Sequence, residues 1–299
     1  MKLPQIACVT RPIGHQVKAM TPLAEGLRRH GFRVRETYDR CPPEDIVACW
    51  GWGWAKEIRA KFPRTTILCI DHGLFSPRKE TVVTGWQGLN GFGEHPVVDD
   101  GGERLHQKGW DKVIQPWRET GAGKALILGQ VYRDAMIVDA VEDYTLWLQA
   151  RSRQLQMEGL NVKFRPHPVQ SRVGNDVIYG NVAPKTDWRR SLYEDLEEHG
   201  TVLAMNSNGL LDALMFGVPD VRLYNKGSML YPISRAHNPE TGERRVDRTR
   251  REALANRLAW CQWQPHEVGS DTWMKLHLPI LHRVLDNSGK HSPWWTHSV

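Results

Sequence analysis

Short β-rich runs alternate with amphipathic helical runs, twice over, and this limits the 299-residue chain to a parallel α/β architecture. In the first series "IACVT" (6–10) reads as a strand, and residues 19–30 read as a helix that stops at Gly31. Strands at 32–37 and 46–53, a short helix "AKEIRAKF" (55–62) and a strand at 65–71 follow. Residues 72–118 are rich in Gly, Pro and Trp with little periodicity, and read as one long functional loop. "RETGAGK" (118–124) reads as a linker. The second series then gives a strand at 125–131, a helix at 139–157, strands at 161–166 and 176–180, and a helix at 191–199. A strand at 201–207, a helix at 209–217 closed by Gly217, and a strand at 221–225 complete it; the tail reads as helices near 249–260 and 271–286. Each series has the size of one nucleotide-binding half. The expected organisation is two Rossmann-like domains, 1–118 and 119–270, facing a central cleft, with 271–299 a C-terminal helix and tail returning toward the first domain.

Composition narrows the function classes. No stretch approaches the roughly 20 apolar residues that span a bilayer, and "MKLPQIACVTRP" lacks the pattern of a signal peptide. The expectation is a soluble, cytoplasmic protein of a bacterial or virus-infected cell. The five cysteines, Cys8, Cys41, Cys49, Cys69 and Cys261, form no C-x-x-C pair and read as reduced, packed thiols rather than a zinc site. A net charge of +6 favours polyanionic partners: nucleic acid, nucleotides or acidic glycans. Thirteen tryptophans against six phenylalanines suit stacking on sugars or bases, and also fill cores.

In open α/β sheets ligands bind at the carboxyl ends of strands, so the polar residues there are the candidates. "KFRPHP" (163–168) ends a strand on His167 held between two prolines that fix the backbone on either side, with Arg165 close by. Strand alternation would aim Arg165 and His167 to one face, where an imidazole can donate to a phosphate; the competing reading is a turn histidine that caps its own loop. "MNSNGLLDALMFGVP" (205–219) ends a strand on Asn206-Ser207-Asn208-Gly209 and turns at once into a helix. Such an end offers unpaired N–H groups to an anion, Gly209 allows close approach, and Asp212 lies on the first turn. In "LILGQVYRDAMI" (126–137) Gln130 can read a base or sugar, while Asp134 suits a helix cap. In the first half "CIDHGLFSPR" (69–78) ends a strand on Asp71-His72-Gly73, a plausible general base for a hydroxyl acceptor, although neighbours on an extended chain point apart. "WGWG" (50–53) offers an aromatic platform. "VVDDGG" (97–102) offers Asp99 and Asp100 as a competing acidic site, or a turn.

Taken together, these motifs resemble the capsule-polysaccharide synthesis glycosyltransferases that include the bacterial Kdo transferases, and more distantly the bacterial sialyltransferases. The resemblance rests on "GQVYRDAMI", "RPHP" and "NSNGLLDALMFGVP", with "DHG" as the match to an acidic-acidic-Gly motif, and spans most of residues 45–225 in order. It implies a GT-B fold, a nucleotide-sugar donor on the second domain with His167 and the Ser/Asn turn near its phosphates, and a catalytic base in the first domain. His72 stands where the family's second acid is expected, so His72, Asp71 or Asp100 is the base. The donor-binding set is then Gln130, Arg165, His167, Ser207, Asn208, Gly209 and Asp212. GT-B enzymes often work without a metal, so no metal and no cofactor beyond the donor substrate is expected.

The acceptor divides two readings. Basic clusters "RLHQKGWDK" (104–112), "GERRV" (242–246) and "TRREALANR" (249–257) suit a phosphate backbone and lean the acceptor toward a hydroxylated base in viral-type DNA, flipped out for reaction. Surface or capsular polysaccharide is the alternative. A catalytically inactive nucleotide-binding module and a sugar-nucleotide epimerase are the readings outside transfer.

Overall fold

The computed structural model describes residues 4–286 apart from 41, 120, 133, 135–136, 138–140, 170–178, 188 and 239–241. It divides into two compact units, Met1–Trp110 with the residues from Ala255 onward, and Asp111–Leu254. The sequence places the divisions at 118/119 and 270/271. The stretch read as a linker, 118–124, lies inside the second unit, and the later division falls within a helix.

The first unit is built on a six-stranded sheet of order β12-β5-β4-β3-β1-β2. Its parallel strands are β1 (Gln5–Val9), β2 (Arg33–Thr37), β3 (Ile46–Trp50) and β4 (Thr66–His72). Helices α1 (Gly14–Arg29) and α2 (Trp52–Lys61) make the crossovers. On α1 the buried residues Gln16, Ala19, Met20, Leu23, Ala24 and Leu27 recur at the three- and four-residue spacing of one helix face. They pack on Ile6 and Cys8 of β1, Ile46 and Ala48 of β3, and Leu68 and Ile70 of β4.

The long segment 72–118 is not one loop. It contains β5 (Val82–Trp86), antiparallel to β4 with His72 opposite Val82, and a short helix α3 (Glu103–Gln107), with single helical turns at 78–80, 90–92 and 110–113. All five residues of β5 are buried. A strand covered on both faces shows no polar-apolar alternation, and Thr84 and Gly85 break the continuous apolar run that would otherwise mark it, which is why the sequence hides it. β5 pairs in turn with β12 (Gln262–Trp263), which follows α7 (Arg251–Ala259), and α8 (Asp271–Asp286) closes the same core. On α8 the buried residues Trp273, Met274, His277, Ile280, Leu281 and Val284 again mark one face.

The second unit carries a sheet of order β10-β11-β9-β8-β6-β7. Strands β6 (Lys124–Leu128), β7 (Asn161–Arg165), β8 (Thr201–Ala204) and β9 (Asp220–Leu223) are parallel. Helices α4 (Tyr144–Met157), α5 (Leu192–Glu198) and α6 (Gly209–Met215) connect them. α4 starts at 144, five residues later than read, because Asp143 caps it by accepting from Leu146 N at 3.0 Å. α5 starts on a capping box between Ser191 and Glu194. The strand read at 176–180 lies outside the described residues through 178. An antiparallel hairpin, β10 (Ser234–Asn238) and β11 (Glu243–Val246), extends the sheet beyond β9; its charged sequence reads only as a basic cluster.

Four cysteines, Cys8, Cys49, Cys69 and Cys261, are buried free thiols. Burial pushes Cys8 and Cys261 up to about 12, as expected of packed rather than reactive sulfur. Cys41 lies outside the described residues.

His277 is fully buried, stacked on Trp273 at 3.9 Å, with its Nε2 3.4 Å from Thr84 Oγ1 and its Nδ1 without a hydrogen-bond partner. Burial, then the nearby His95, holds its pKa well below the ordinary histidine value. The unfolded chain takes up a proton near pH 6.5 that the folded chain refuses, so stability is full above that pH and is lost as pH falls through it. The free energy of unfolding should fall between pH 6.5 and 5, by about 1.4 kcal/mol per pH unit for each such histidine, and the thermal midpoint with it. His277→Phe should flatten that slope, which calorimetry across the pH range will check.

Candidate functional site

In the first unit the carboxyl ends of β1, β3 and β4 lie side by side, and the starts of α1 and α2 lie with them. Asp71 and His72, both half-buried, have different neighbours. Asp71 Oδ1 accepts from the backbone N–H of His72 at 2.7 Å, and its Oδ2 lies 3.8 Å from where a Cβ would stand on Gly51. Gly51 is the N-cap of α2 and has φ of 79°, so the residue type is dictated by the turn that brings helix start and carboxylate together. The His72 ring packs instead 5.3 Å from Trp50, edge to face, and 4.8 Å from the ring of His15 on the first turn of α1. Its Nδ1 is buried and has no hydrogen-bond partner. Burial first, then His15 and Lys79, lower its pKa, so the ring is neutral at pH 7.

Asp100 has a different situation. Its carboxylate accepts from Gly102 N at 3.0 Å, Arg104 N at 2.8 Å and Trp260 Nε1 at 3.0 Å. Partial burial raises its pKa, but those hydrogen bonds outweigh it and leave the group below the usual carboxylate range. Asp100 thus ties the start of α3 to Trp260; Asp99 makes the same kind of turn contact with Gly101 N at 3.3 Å.

In the second unit β8, β6 and β7 are neighbours, so the three strand ends named by the motifs are adjacent. Gln130 is buried and fully engaged. Its Oε1 accepts from Asn206 N at 3.0 Å, its Nε2 donates to Asn206 Oδ1, its backbone N donates to Tyr144 Oη at 3.1 Å, and its carbonyl accepts from Tyr179 Oη at 2.6 Å. It staples the end of β6 to the end of β8. Arg165 is buried too, its Nη1 paired with Asp195 of α5 and its Nη2 donating to Arg190 O at 2.8 Å. The strand ends at Arg165, so alternation does not carry on to His167, and the two side chains have separate surroundings.

His167 is half-buried, and its Nδ1 accepts from Val169 N at 3.3 Å. It therefore caps its own loop, and the same bond puts the proton of the neutral ring on Nε2. Burial lowers its pKa and the Asp134 carboxylate partly opposes this. At the end of β8, Ser207 Oγ accepts from Gly209 N at 3.1 Å, and Ser207 and Asn208 are half-exposed. Gly209 sits close to its neighbours: a Cβ there would stand 2.8 Å from Leu128 Cδ1, which would have to shift, and 3.3 Å from Ser207 Oγ. Asp212 lies half-buried in the first turn of α6, a helix of only seven residues.

His15 is the residue the sequence reading missed. The strand-turn-helix order of "VTRPIGH" (9–15) placed it at a carboxyl end, and that was the available signal. A cavity of about 380 Å³ in the first unit, lined by Pro4, Asp45, Arg59, Arg64, Gln87 and Leu285 among others, holds none of these residues. It lies at the amino ends of β3 and β4, opposite to the ligand-binding edge of such sheets. Among the described residues no group of three or more His, Cys, Asp and Glu is placed to hold a metal ion, and no helix is long and apolar enough to cross a membrane.

Breaking the buried pair should be costly. Asp195→Ala leaves the Arg165 charge buried and should destabilise the protein by about 3–5 kcal/mol, while the double change Arg165→Met with Asp195→Leu should recover most of it; denaturant titration checks both.

No family model matches the chain, and no curated protein matches it. Solved structures do. A β-Kdo 2,7 transferase, KpsC of Thermosulfurimonas dismutans, aligns over 84% of this chain and 89% of its own at 13% identity and a TM-score of 0.52. A β-Kdo 2,4 transferase KpsC of the same organism aligns over the same shares, 84% and 89%, at 14% identity and a TM-score of 0.49. The two-unit α/β fold of this chain is therefore similar to that of a KpsC Kdo transferase.

Proposed function

We propose that the protein is a glycosyltransferase of the GT-B type, which moves a sugar from a nucleotide-sugar donor held by the second unit to a hydroxyl acceptor activated on the first. The observation that carries this is His167: Val169 N fixes Nδ1 as acceptor, so Nε2 is the donor, at a strand end beside those that bear Gln130 and Ser207. A donor fixed in advance stabilises the charge that grows on a leaving phosphate. The half-exposed side chains of Ser207 and Asn208 add to it, whereas the N–H groups of Gly209 to Asp212 are already bonded to Ser207 and Asn208. Gln130 and Arg165 act through their neighbours, holding the ends of β8 and β7 in place, and Asp212 lies on the first turn of α6. The fold likeness to a protein titled a Kdo transferase supports the reading.

On the first unit His72 is the favoured base. Burial, His15 and Lys79 lower its pKa, so the ring is uncharged at pH 7 and can take a proton. It takes the proton of the acceptor hydroxyl as that oxygen bonds to the sugar's anomeric carbon, and the nucleotide phosphate leaves with the bonding electrons. Asp71 is the second candidate. Asp100 is the weakest, because three donors stabilise its charge. The reading needs no metal, since side-chain donors oppose the phosphate charge.

A glycan acceptor is favoured over DNA by where the cations are. Arg104 is buried, bonded to Ala259 O at 2.8 Å and Gln262 O at 3.0 Å, and Lys108 pairs with Glu267 at 2.7 Å. Arg251 and Arg257 are also buried, and Arg244 donates to Ser234 and lies 4.4 Å over Tyr231. The clusters that suggested a phosphate backbone are largely committed to the protein itself.

A panel of nucleotide sugars should contain one that raises the unfolding midpoint, and His167→Ala should weaken that donor about 10- to 100-fold, the worth of one hydrogen bond to a charged group. His72→Ala should cut transfer to a glycan acceptor about 100-fold or more and Asp100→Asn far less. No stabilisation by any donor would sink the proposal. Donor binding without transfer would instead point to an epimerase or an inactive module, and transfer to hydroxymethylated DNA alone would restore the nucleic-acid reading.

A further inference from the structure

His15 has no part in the motifs, yet it touches the group proposed to do the chemistry. It is the second residue of α1, a helix of 16 residues that starts directly beyond β1. Its ring lies 4.8 Å from His72 at a tilt of 45°, and 4.8 Å from Trp50 at 57°. Trp50 closes the triangle, 5.3 Å from His72 with its plane nearly perpendicular. Three different strand ends thus deliver three rings to one point.

We infer that His15 is a positioning residue for His72, holding that ring at its tilt against Trp50 and in its uncharged form, so that the ring can accept a proton from a hydroxyl. The inference rests on the reading of His72 as the base. Two imidazoles at this separation repel each other when both are charged, so protonating one resists protonation of the other. The remaining surroundings agree in sign. Lys79, from the turn after β4, opposes charge on His72. α1 brings no acidic residue in its first turn to these rings. β3 contributes Trp50, and the β5 residue opposite His72 is Val82; neither titrates. Asp71, the acid next to His72 in the chain, has one of its oxygens engaged by the backbone N–H of His72.

The test is to follow the histidine ring signals of the full-length protein by NMR across pH, in the natural protein and in His15→Phe and His15→Gln. His15→Phe keeps a ring against Trp50 and His72 but removes the titrating group; His15→Gln serves if the phenylalanine protein fails to fold. The midpoint of His72, assigned by its loss in His72→Ala, should move up by about one pH unit when His15 no longer titrates. The acidic limb of the kcat/KM–pH profile for transfer should move up by the same amount, with the plateau rate changed only a few-fold in His15→Phe. A purely structural role would lower the rate at all pH values and leave the limb where it is. An unmoved His72 midpoint in both variants overturns the inference. If no donor and acceptor support transfer, the proposed function fails instead, and the NMR midpoints still decide the role of His15.

Discussion

A parallel strand cannot turn back on itself. Its chain must leave at the carboxyl end, cross over through a helix and re-enter beside the strand at the opposite edge. That constraint orders everything of chemical interest in this molecule. In the first unit it gathers His15, Trp50, Gly51, Asp71 and His72 on one edge, and in the second it gathers Gln130, His167, Ser207 and Asn208. The antiparallel additions, β5 with β12 and β10 with β11, lengthen each sheet sideways and leave these edges to the parallel strands.

The net positive charge is handled by enclosure as much as by solvent. Arg104 lies 4.2 Å from the ring of Trp263 and 4.8 Å from that of Trp260, with Glu267 at 3.3 Å. Guanidinium groups tolerate such sites because they are planar, weakly hydrated and able to stack. Arg222 is shared among Glu158, Asp220 and Glu243. Arg165 is held by Asp195. Many of the thirteen tryptophans belong to this arrangement or to the core, and Trp86, Trp263 and Trp273 are among the largest fully buried side chains. A charge count alone therefore overstates what the protein can offer to a polyanion.

How much was legible follows from the same physics. β1, β3, β4, β6 and β8 show as apolar runs because they are buried within their sheets, and α8 shows from 271 to 286 because its buried residues keep the helical period. β5 was hidden because Thr84 and Gly85 interrupt its short apolar run, and the β10–β11 hairpin by its charges. At the candidate site, strand ends with polar residues were visible, since β-rich runs stopping at Asp, His, Asn or Gln are local patterns. What those side chains bond to was not visible. Gln130 turned out to grip Asn206, 76 residues away, and Arg165 to grip Asp195, 30 residues away. His15 escaped notice because its significance lies in a ring contact with His72 across two strands, a relation no spacing along the chain encodes.

The first unit is written in two pieces. β12 and α8 complete its sheet and its core, yet 144 residues of the second unit, Asp111–Leu254, stand between them and Trp110. During synthesis, at about 5–20 residues per second, the amino-terminal piece must wait roughly ten to thirty seconds with β5 unpaired along one edge and the apolar face of its sheet uncovered. The second unit, continuous in the chain, can finish first. The ribosome thus delivers the proposed donor half before the half that bears His72 can close, and the exposed β5 edge is where a growing chain of this protein is most open to chaperones and to aggregation.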